Sequence, residues 1–375
     1  MDDLKDKKIA IVVEELTQLG GAERVLDAVI EVFPNAPIYT LVWDKEKTHH
    51  IYDKKDIRTS FIQKMPRGVK RYKWYLSLMP KAVESFRLGE FDIIISITSA
   101  FVKGIKTRED QLHFCICNTP TRFLWSDPDY VKTAPIPFYI RPFMPLVLKY
   151  LKKWDLKASK RPTYILANSK NVQERIRKYY KRESEVLYPN VETNKFMNAK
   201  FTKENYYLLV SRIEPYKKVD LVIEAFKRLE REQLVIIGAG SKAGELNEKS
   251  PKNIKFLGRV SEKELVEYYA KAKGFILPQN EDFGITPVES MAAGTPVVAY
   301  KKGGALETVI DGKTGVLFYP QTVEALVSVI KNFRPYLYKK VDLQKQAAKF
   351  DQAIFKEELL AYIKDKIKVK NNRTE

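Results

Sequence analysis

The sequence predicts an α/β protein of two domains, each a doubly wound parallel sheet, that face each other across a cleft. Strand-like apolar runs alternate with amphipathic helical patterns along nearly the whole chain, which is typical of parallel sheets covered by helices. The alternation is interrupted by a turn-rich, proline-containing segment at residues 186–196 and then starts again. A length of 375 residues is enough for two such domains at roughly 150 residues each.

The first half of the chain contains apolar runs that are typical of buried strands. These predicted strands are residues 7–16, 36–43, 91–98, 112–117 and 164–169. Helices are predicted at 21–33, where apolar residues recur at helical spacing, and at 171–180. Together these elements form the first predicted domain, residues 1–192.

The same pattern resumes in the second half of the chain. The predicted strands are residues 206–213, 233–240, 253–258, 274–279 and 295–300, and the predicted helices are 218–229, 264–272 and 288–294. They form the second predicted domain, residues 193–350. A final helix near residues 351–368 and a tail make up the remainder, residues 351–375.

Composition excludes several classes of protein. With 45% hydrophobic and 12% aromatic residues, the chain has enough apolar material for full cores, so it is not a disordered chain. Two cysteines, Cys115 and Cys117, are too few for a disulfide scaffold or a four-cysteine zinc site. Three histidines, two of them adjacent, argue against a histidine-based metal centre.

Hydropathy predicts where the protein is located, and net charge predicts what kind of partner it binds. No run reaches 18 uninterrupted apolar residues, and the N-terminal apolar stretch is short and flanked by charges. We therefore expect no membrane span, no signal peptide and a cytoplasmic location. The net charge of +19 predicts an anionic partner, which could be nucleic acid, a phosphorylated substrate or acidic lipid.

Positive charge is concentrated in two segments of the first domain. Residues 64–81 contain six basic residues and no acid, and residues 149–182 contain twelve basic and two acidic residues. Because aromatic residues are interleaved with them, these segments favour an anionic membrane surface as a partner. The alternative is a solvated basic face with ordinary helix packing. Since no nucleic-acid module is recognisable, we expect no nucleic-acid partner.

The densest motif is a pair of glutamates, Glu281 and Glu289, in E-x7-E spacing. Gly284 permits a tight turn after the first glutamate, Thr286 is a suitable helix N-cap, and Gly294 is a suitable helix end. Such a helix start directs backbone N–H groups and a positive dipole end at a ligand, which favours a diphosphate. Alternatively, Thr286 and Glu289 form a capping box that only satisfies the helix end.

A second candidate set consists of Arg212 and Lys217, which follow the carboxyl end of the strand YYLLV. Ligands of open α/β sheets bind at this end of the strands. A guanidinium fork and an ammonium held there would suit two neighbouring phosphate groups. The alternative is two surface cations in a loop of a basic protein.

Two glycine-containing turns are weaker evidence for a ligand-binding site. Gly20 and Gly21 could bring backbone close to a phosphate, or they could serve only as a strand-to-helix turn. Residues 238–243 match the spacing G-x-G-x-x-A. They follow the second strand of their domain, and no acid ends the next strand, so nicotinamide binding is not expected.

Taken together, the motifs resemble glycosyltransferase family 4, the retaining nucleotide-sugar enzymes with two facing Rossmann-like domains, the GT-B fold. The resemblance covers nearly the whole chain, and the highly specific block is EDFGITPVESMAAGTPVVA. Further segments carry it: GGAERVL, NTPTRFLW, NSKNVQERI, YPNVETNKF, SRIEPYKKVDLVIEAF and IIGAGS. The N-terminal segments FPNAPIYTLVWD, IRTSFIQKMP and RYKWYLSLMP resemble bacterial mannosyltransferases that extend O-antigen and other lipid-linked polysaccharides.

The resemblance implies roles for individual residues, with no metal or other cofactor. Arg212 and Lys217 match the basic pair that binds the donor diphosphate. Glu281 matches the acid that lies against the donor sugar, and with that pair it is a candidate catalytic residue. Glu289 matches the acid that holds the ribose. The remaining donor-binding positions match backbone or glycine-loop contacts: Phe283, Gly284, Ile285, Gly20 and Gly21.

The implied activity is transfer of a hexose, most simply mannose from GDP-mannose, to a lipid-linked or polysaccharide acceptor with retained configuration. The implied location is the inner face of the cell membrane, as a peripheral protein whose C-terminal helix crosses back to the first domain. UDP-sugar-dependent transfer is an alternative. This chain has Asn118 where relatives usually have a histidine, and an amide cannot titrate near neutral pH. A nucleotide-sugar-binding subunit that has lost catalysis is therefore a second alternative.

Overall fold

The computed structural model describes residue 4 and residues 6–126 and 141–374. The chain forms two compact units, one comprising Met1–Tyr188 with Phe355–Glu375 and the other Pro189–Ile354. The change from the first unit to the second falls inside the turn-rich segment 186–196, a few residues before the predicted boundary. Among the described residues, no helix combines the length and the apolar character that a membrane span requires.

The first unit contains a seven-stranded parallel sheet with the order β3-β2-β1-β4-β5-β6-β7. Its strands are β1 (Ile9–Val13), β2 (Ile38–Thr40), β3 (Ile57–Thr59), β4 (Ile93–Thr98), β5 (Leu112–Cys117), β6 (Tyr164–Ala167) and β7 (Glu185–Val186). Strands β1 and β4 pair at the centre, with Ile9 opposite Ile93, and the strand order runs outward from them in both directions. The doubly wound prediction is therefore confirmed, and the switch point of this unit lies between β1 and β4.

Helices cover both faces of this sheet. They are α1 (Gly21–Val32), α2 (Met79–Glu84), α3 (Arg122–Trp125), α4 (Met144–Ala158) and α5 (Lys170–Tyr180). Alternate residues of β1 point to opposite faces, so that Ile11 packs in a core with α1 whereas Val12 packs in a second core with α2 and α4.

The second unit contains a six-stranded parallel sheet with the order β10-β9-β8-β11-β12-β13. Its strands are β8 (Tyr206–Val210), β9 (Gln233–Ile237), β10 (Ile254–Gly258), β11 (Gly274–Leu277), β12 (Val297–Tyr300) and β13 (Gly315–Phe318). Strands β8 and β11 are neighbours although 63 residues separate their ends in the chain, from Val210 to Gly274. The switch point of this unit therefore lies between β8 and β11.

Nine further helices complete the described chain. They are α6 (Thr193–Met197), α7 (Val219–Lys227), α8 (Ala243–Glu248), α9 (Glu262–Lys271), α10 (Ile285–Ala292), α11 (Ala305–Thr308), α12 (Val323–Asn332), α13 (Lys340–Ala348) and α14 (Gln352–Thr374). Helix α14 contributes Phe355, Leu359, Ile363 and Ile367 to the core that α1 shares with β1. The C-terminal helix therefore belongs structurally to the first unit.

The predicted strands and helices correspond to observed elements, but the strands are shorter than predicted. Strands β3, β7 and β13, which are two to four residues long, were not predicted. The glycines of the G-x-G-x-x-A turn pack closely against the loop after β8. A Cβ on Gly238 would lie 1.9 Å from the Ser211 carbonyl oxygen, and one on Gly240 would lie 2.2 Å from that of Ile213.

Candidate functional site

The loop after β8 carries both predicted cations of the second unit. The backbone N–H of Ser211 donates to the carbonyl oxygen of Ile237 at the end of β9, and that of Ile213 donates to Ala239 in the loop after β9, both at 3.0 Å. These bonds hold the loop at the edge of the sheet. Lys217 closes a 3₁₀ turn, Pro215–Lys217, immediately before α7. Both cations thus lie at the carboxyl end of a central strand, as the sequence predicts.

Tyr216 contacts both Arg212 and Lys217. The Arg212 guanidinium donates to the Tyr216 hydroxyl at 2.6 Å, and the Lys217 ammonium lies 5.2 Å from the centre of the Tyr216 ring. Arg212 is exposed, whereas the Lys217 side chain is only 14% exposed. The exposed guanidinium can therefore reach a ligand in solvent, while the ammonium is held by its surroundings.

Lys217 and Glu281 form an ion pair in which both side chains are largely buried. The Glu281 carboxylate also accepts a hydrogen bond from the Gln279 side-chain amide at 2.7 Å. Because β8 and β11 are adjacent, residues 64 positions apart meet at the same sheet edge. An ammonium, a carboxylate and an amide in this arrangement can recognise a phosphate and a hydroxyl side by side.

The backbone after Glu281 turns through a left-handed glycine into α10. Gly284 has φ 93° and ψ 87°, a conformation that strongly favours glycine, and it is the N-cap of α10. Because glycine has no side chain, the N-cap residue makes no side-chain hydrogen bond to the first turn, and a helix start of this kind suits an anion. The prediction that Thr286 is the N-cap was wrong, because the N-cap is Gly284, two residues earlier, and the helix begins at Ile285.

A second glycine pair that sequence analysis overlooked fixes this loop. The Gly304 N–H donates to the Glu281 carbonyl oxygen at 3.0 Å. Gly303 has φ 65°, and a Cβ there would lie 2.3 Å from the same carbonyl oxygen. A Cβ on Gly304 would lie 2.1 Å from the Phe283 carbonyl oxygen. The adjacent glycines in the sequence could have indicated this contact, because two backbones approach this closely only where a residue has no side chain.

Phe283 and Glu289 both point into the protein. The Phe283 side chain is 3% exposed and makes an edge contact with Phe350 at 5.2 Å between ring centres, so a ligand would meet its backbone only. Glu289 is 2% exposed, and its carboxylate accepts from the Tyr269 hydroxyl at 2.8 Å. The capping-box alternative for Glu289 was wrong, because Gly284 is the N-cap. The left-handed φ of Gly294, 78°, confirms its predicted place after the helix end.

In the first unit, Gly20 and Gly21 lie between β1 and α1. Gly20 is the N-cap of α1 with extended backbone, and Gly21 is the first helical residue. This turn follows the carboxyl end of β1, at the switch point of its sheet. Sequence analysis missed Glu14 in the same region, whose carboxylate accepts from the Thr98 hydroxyl at 2.8 Å and from several backbone N–H groups of residues 99–102.

Asn118 follows β5, the neighbour of β4. Its backbone N–H donates to the Thr98 carbonyl oxygen at 2.8 Å, and its side-chain amide lies 3.4 Å from the Ser99 hydroxyl. The amide side chain thus contacts the loop after β4 that Glu14 holds. Asn118 is therefore placed beside the switch point of the first unit, as its position in the NTPTRFLW segment requires.

A buried ion pair anchors the rest of that segment. The Lys103 ammonium and the Asp155 carboxylate lie 2.5 Å apart, with side chains 3% and 1% exposed. The same carboxylate accepts from the Thr121 hydroxyl at 2.8 Å and from the Trp125 indole N–H at 2.7 Å. Every polar partner is satisfied by another, which is the condition under which a buried charge pair is tolerated. Helix α4 therefore holds the NTPTRFLW segment in place.

The second unit matches a known family. Residues 190–364 match the family model described as glycosyl transferases group 1. The match runs from the start of the second unit into α14 and includes every candidate residue of that unit: Arg212, Lys217, Glu281, Phe283, Gly284, Ile285 and Glu289.

Two curated relatives are mannosyltransferases. The O-antigen chain mannosyltransferase RfbU of Salmonella typhimurium is 30% identical over 221 residues, covering 53% of this chain and 62% of that protein. The alpha-1,3/1,6-mannosyltransferase ALG2 of Dictyostelium discoideum is 28% identical over 193 residues, covering 38% of this chain and 45% of that protein. The chain therefore spans only 45% to 62% of the length of these two relatives.

The fold extends beyond the family match. The crystal structure of Anabaena HepE in complex with UDP-glucose is similar over 95% of this chain and 99% of that chain, with a TM-score of 0.69 and 17% identity. At this identity the similarity concerns the fold, and it includes both units. Residues 190–364 are thus similar to the group 1 glycosyl transferases, and the chain has the two-domain, Rossmann-like GT-B fold.

Proposed function

We propose that this protein is a retaining glycosyltransferase that moves a hexose, most simply mannose from GDP-mannose, to a lipid-linked or polysaccharide acceptor. The observation that carries the proposal is the Lys217–Glu281 ion pair at the switch point of the second unit, three residues before the left-handed Gly284 that opens α10. One edge of the sheet thus presents a cation, a carboxylate and an uncapped helix N-terminus together.

In this proposal the donor diphosphate binds to positive groups of the second unit. Arg212 supplies a planar guanidinium, Lys217 supplies an ammonium, and the start of α10 supplies the backbone N–H groups of Ile285 and Thr286. Negative charge develops on the diphosphate as the glycosyl bond breaks. Preorganised positive groups stabilise that charge, so the proposed reaction uses no metal ion.

The remaining candidate residues divide between the sugar and the nucleoside. Glu281 would accept hydrogen bonds from hydroxyl groups of the donor sugar, and Glu289 from the ribose. The backbone at Phe283 and Gly284 would meet the sugar and the phosphates. The Gly20–Gly21 turn of the first unit would meet the diphosphate. Each assignment matches the chemistry of the group, because carboxylates accept hydrogen bonds from hydroxyls and N–H groups donate to phosphates.

Retention is explained by attack on the same face from which the diphosphate leaves. The bond between the anomeric carbon and the phosphate oxygen breaks, and the acceptor hydroxyl forms the new bond on that face. The hydroxyl proton passes to a donor phosphate oxygen, so the leaving group serves as the base. This route needs no protein nucleophile.

The identity of the sugar and the acceptor is proposed from the relatives. Mannose is supported by RfbU and ALG2, which are both named as mannosyltransferases, and RfbU acts on an O-antigen chain. We propose a cytoplasmic protein that is peripheral on the inner face of the membrane, where a lipid-linked acceptor is accessible. A UDP-sugar is the second candidate donor, favoured by the UDP-glucose complex of HepE.

A binding subunit that has lost catalysis is the second candidate function. It is favoured by Asn118, an amide that lies 3.4 Å from the Ser99 hydroxyl and replaces a group that could titrate. Donor hydrolysis or sugar transfer by the purified protein would exclude this candidate.

The experiment that tests the proposal is thermal unfolding with GDP, UDP and their sugar conjugates. A nucleotide that binds the native state raises the melting temperature by mass action. We expect a shift with GDP and GDP-mannose that is lost in Arg212→Ala. The matched control is Arg231→Ala, an exposed arginine two residues before β9, at the opposite edge of the same sheet. A shift with UDP alone would replace mannose by a UDP-sugar, and no shift with any nucleotide would contradict donor binding.

A further inference from the structure

Helix α4 has two different faces. Its inner face packs Leu151, Trp154 and Ala158 into the core with α2. Its outer face carries Leu146, 69% exposed, and Tyr150, 49% exposed. Large apolar side chains on a surface helix are unusual when they lie together, and such a patch marks an interaction site.

Three lysines lie on or beside the same outer face of α4. Leu146, Tyr150, Lys153 and Lys157 are spaced by four, three and four residues, so they share one side of the helix, with Lys149 at its margin. The three lysines are exposed, and within the described parts of the chain no carboxylate forms an ion pair with them. We call these five residues the α4 outer face.

The other basic segment lies on the same side of the sheet. Residues 64–81 and their flanks pack Ile62 and Met79 into the same core as the inner face of α4. The opposite side of the sheet is covered by α1 and α14. All six basic side chains of residues 64–81 are exposed, so positive charge from two distant segments is collected on one side of the unit.

We propose that the α4 outer face docks on an anionic lipid bilayer. Leu146 and Tyr150 would enter the headgroup region, and Lys149, Lys153 and Lys157 would contact lipid phosphates. Charge complementarity selects this partner, because no carboxylate of the described residues pairs with the lysines and the apolar side chains need a surface that buries them. A purely solvated basic face explains the lysines but leaves the exposed leucine and tyrosine unexplained.

The first test is sedimentation with vesicles of phosphatidylcholine and phosphatidylglycerol at 3:1, compared with phosphatidylcholine alone. Wild type should bind the anionic vesicles and should release as salt rises. Each lysine contributes about fivefold to partitioning, so K149Q/K153Q/K157Q should bind roughly a hundredfold more weakly. The matched control removes three exposed lysines of the second unit, K252Q/K255Q/K263Q. Equal loss in both triple variants would overturn the proposal.

The second test measures insertion directly. The two native cysteines, Cys115 and Cys117, are buried in β5, and burial raises the pKa of the Cys115 thiol to about 11. A polarity-sensitive dye can therefore be attached selectively to Leu146→Cys, with Leu337→Cys as the control because Leu337 is 67% exposed in the second unit. We expect a blue shift on anionic vesicles for the dye at position 146 only.

Two further outcomes would overturn the proposal. One is an unchanged dye spectrum at position 146 on vesicles that do bind the protein. The other is binding to duplex DNA that is tighter than binding to the anionic vesicles, which would assign the charge to nucleic acid instead. Neither assay uses donor or turnover, so they are independent of the proposed transferase activity.

Discussion

At the scale of single residues, substitution of Lys217 tests the proposed function most directly. Its ammonium is held against Glu281, and it is the less exposed of the two loop cations. Loss of one preorganised group that stabilises leaving-group charge costs roughly a hundredfold to a thousandfold in turnover. We expect Lys217→Ala to reduce turnover by that factor with an unchanged circular dichroism spectrum, and Arg231→Ala to retain activity. Near-normal turnover in Lys217→Ala would contradict the assignment.

Substitutions of the two glutamates of the E-x7-E motif should have different effects, one on sugar transfer and the other on nucleotide binding. If Glu281 contacts the sugar, Glu281→Gln should lose transfer while GDP still raises the melting temperature. If Glu289 holds the ribose, Glu289→Gln should lose the shift produced by GDP itself. Both substitutions keep the shape of the side chain and remove its charge. Calorimetric titration with GDP and with GDP-mannose distinguishes the two, and the reverse pattern would exchange the assignments.

His113 makes stability depend on pH. It is completely buried in β5, its ring lies 2.7 Å from the Ser96 hydroxyl, and burial with the charge of Arg182 lowers its pKa to about 3. In the unfolded chain the group protonates near pH 6.5, so the unfolded state takes up the proton first as pH falls. Stability from the neutral ring is therefore complete above pH 6.5 and is lost as pH falls toward 3.

The expected loss from this histidine is roughly 3 kcal/mol between pH 7 and pH 4, since the unfolded state gains one proton over most of that window. Urea unfolding of wild type and of His113→Gln at both pH values isolates the contribution, because the carboxylates are common to both proteins. A pH dependence that is the same in the two proteins would show that His113 already titrates normally.

At the scale of elements, the shape of the Glu281 loop depends on a glycine in a neighbouring loop. Gly303 and Gly312 both have left-handed backbone, φ 65° and 75°, so alanine strains both. Only at Gly303 would the new Cβ meet the Glu281 carbonyl oxygen, whereas nothing lies within 4 Å at Gly312. Displacing a positioning loop by ~1 Å costs about a hundredfold in rate.

We therefore expect Gly303→Ala to lose transfer by about that factor and Gly312→Ala to keep it, because the backbone strain is common to both but the collision occurs only at Gly303. A steady-state transfer assay on both variants is the measurement. Equal activity in the two would mean that the Glu281 loop tolerates the displacement.

At the scale of the whole molecule, the C-terminal helix completes the first unit. Leu359 is fully buried in the core with β1 and α1, whereas Ile354 on the same helix is 37% exposed. Leu359→Ala should lower the free energy of unfolding by about 2–5 kcal/mol, because the cavity adds to the lost transfer term. Ile354→Ala should change it little. Chemical denaturation of both variants checks this, and equal effects would contradict the packing of α14.

Removal of residues 355–375 should have a larger effect. Four buried side chains at about 1.5–3 kcal/mol each exceed the lower end of typical domain stability, so the first unit should fail to fold. The second unit lacks this dependence, and GDP should still stabilise it. Limited proteolysis with and without GDP measures both, and a protease-resistant first unit in the truncated chain would contradict the role of α14.

Local pattern was enough to predict the strands and helices with strong periods, and the place of each site residue along them. Strands β1, β4 and β5 are buried on both faces of the sheet, so their sequences are continuous apolar runs. Arg212 and Glu281 also follow buried strands of this kind. The start of α10 was misplaced by two residues because Thr286 is a good N-cap in isolation. The loop around Gly284 determines the cap, and Gly303 and Gly304 hold that loop from another element.

By itself, the sequence determined the α/β class, the two doubly wound sheets, the left-handed glycine after Glu281 and the family resemblance, because these depend on residues close together in the chain. Only the tertiary structure decided that Glu281 pairs with Lys217, that Glu289 accepts from Tyr269, and that α14 completes the first unit. Each of these contacts joins two elements that local pattern places along the chain but does not bring together. The burial of sheet and helix faces against one another decides which elements meet.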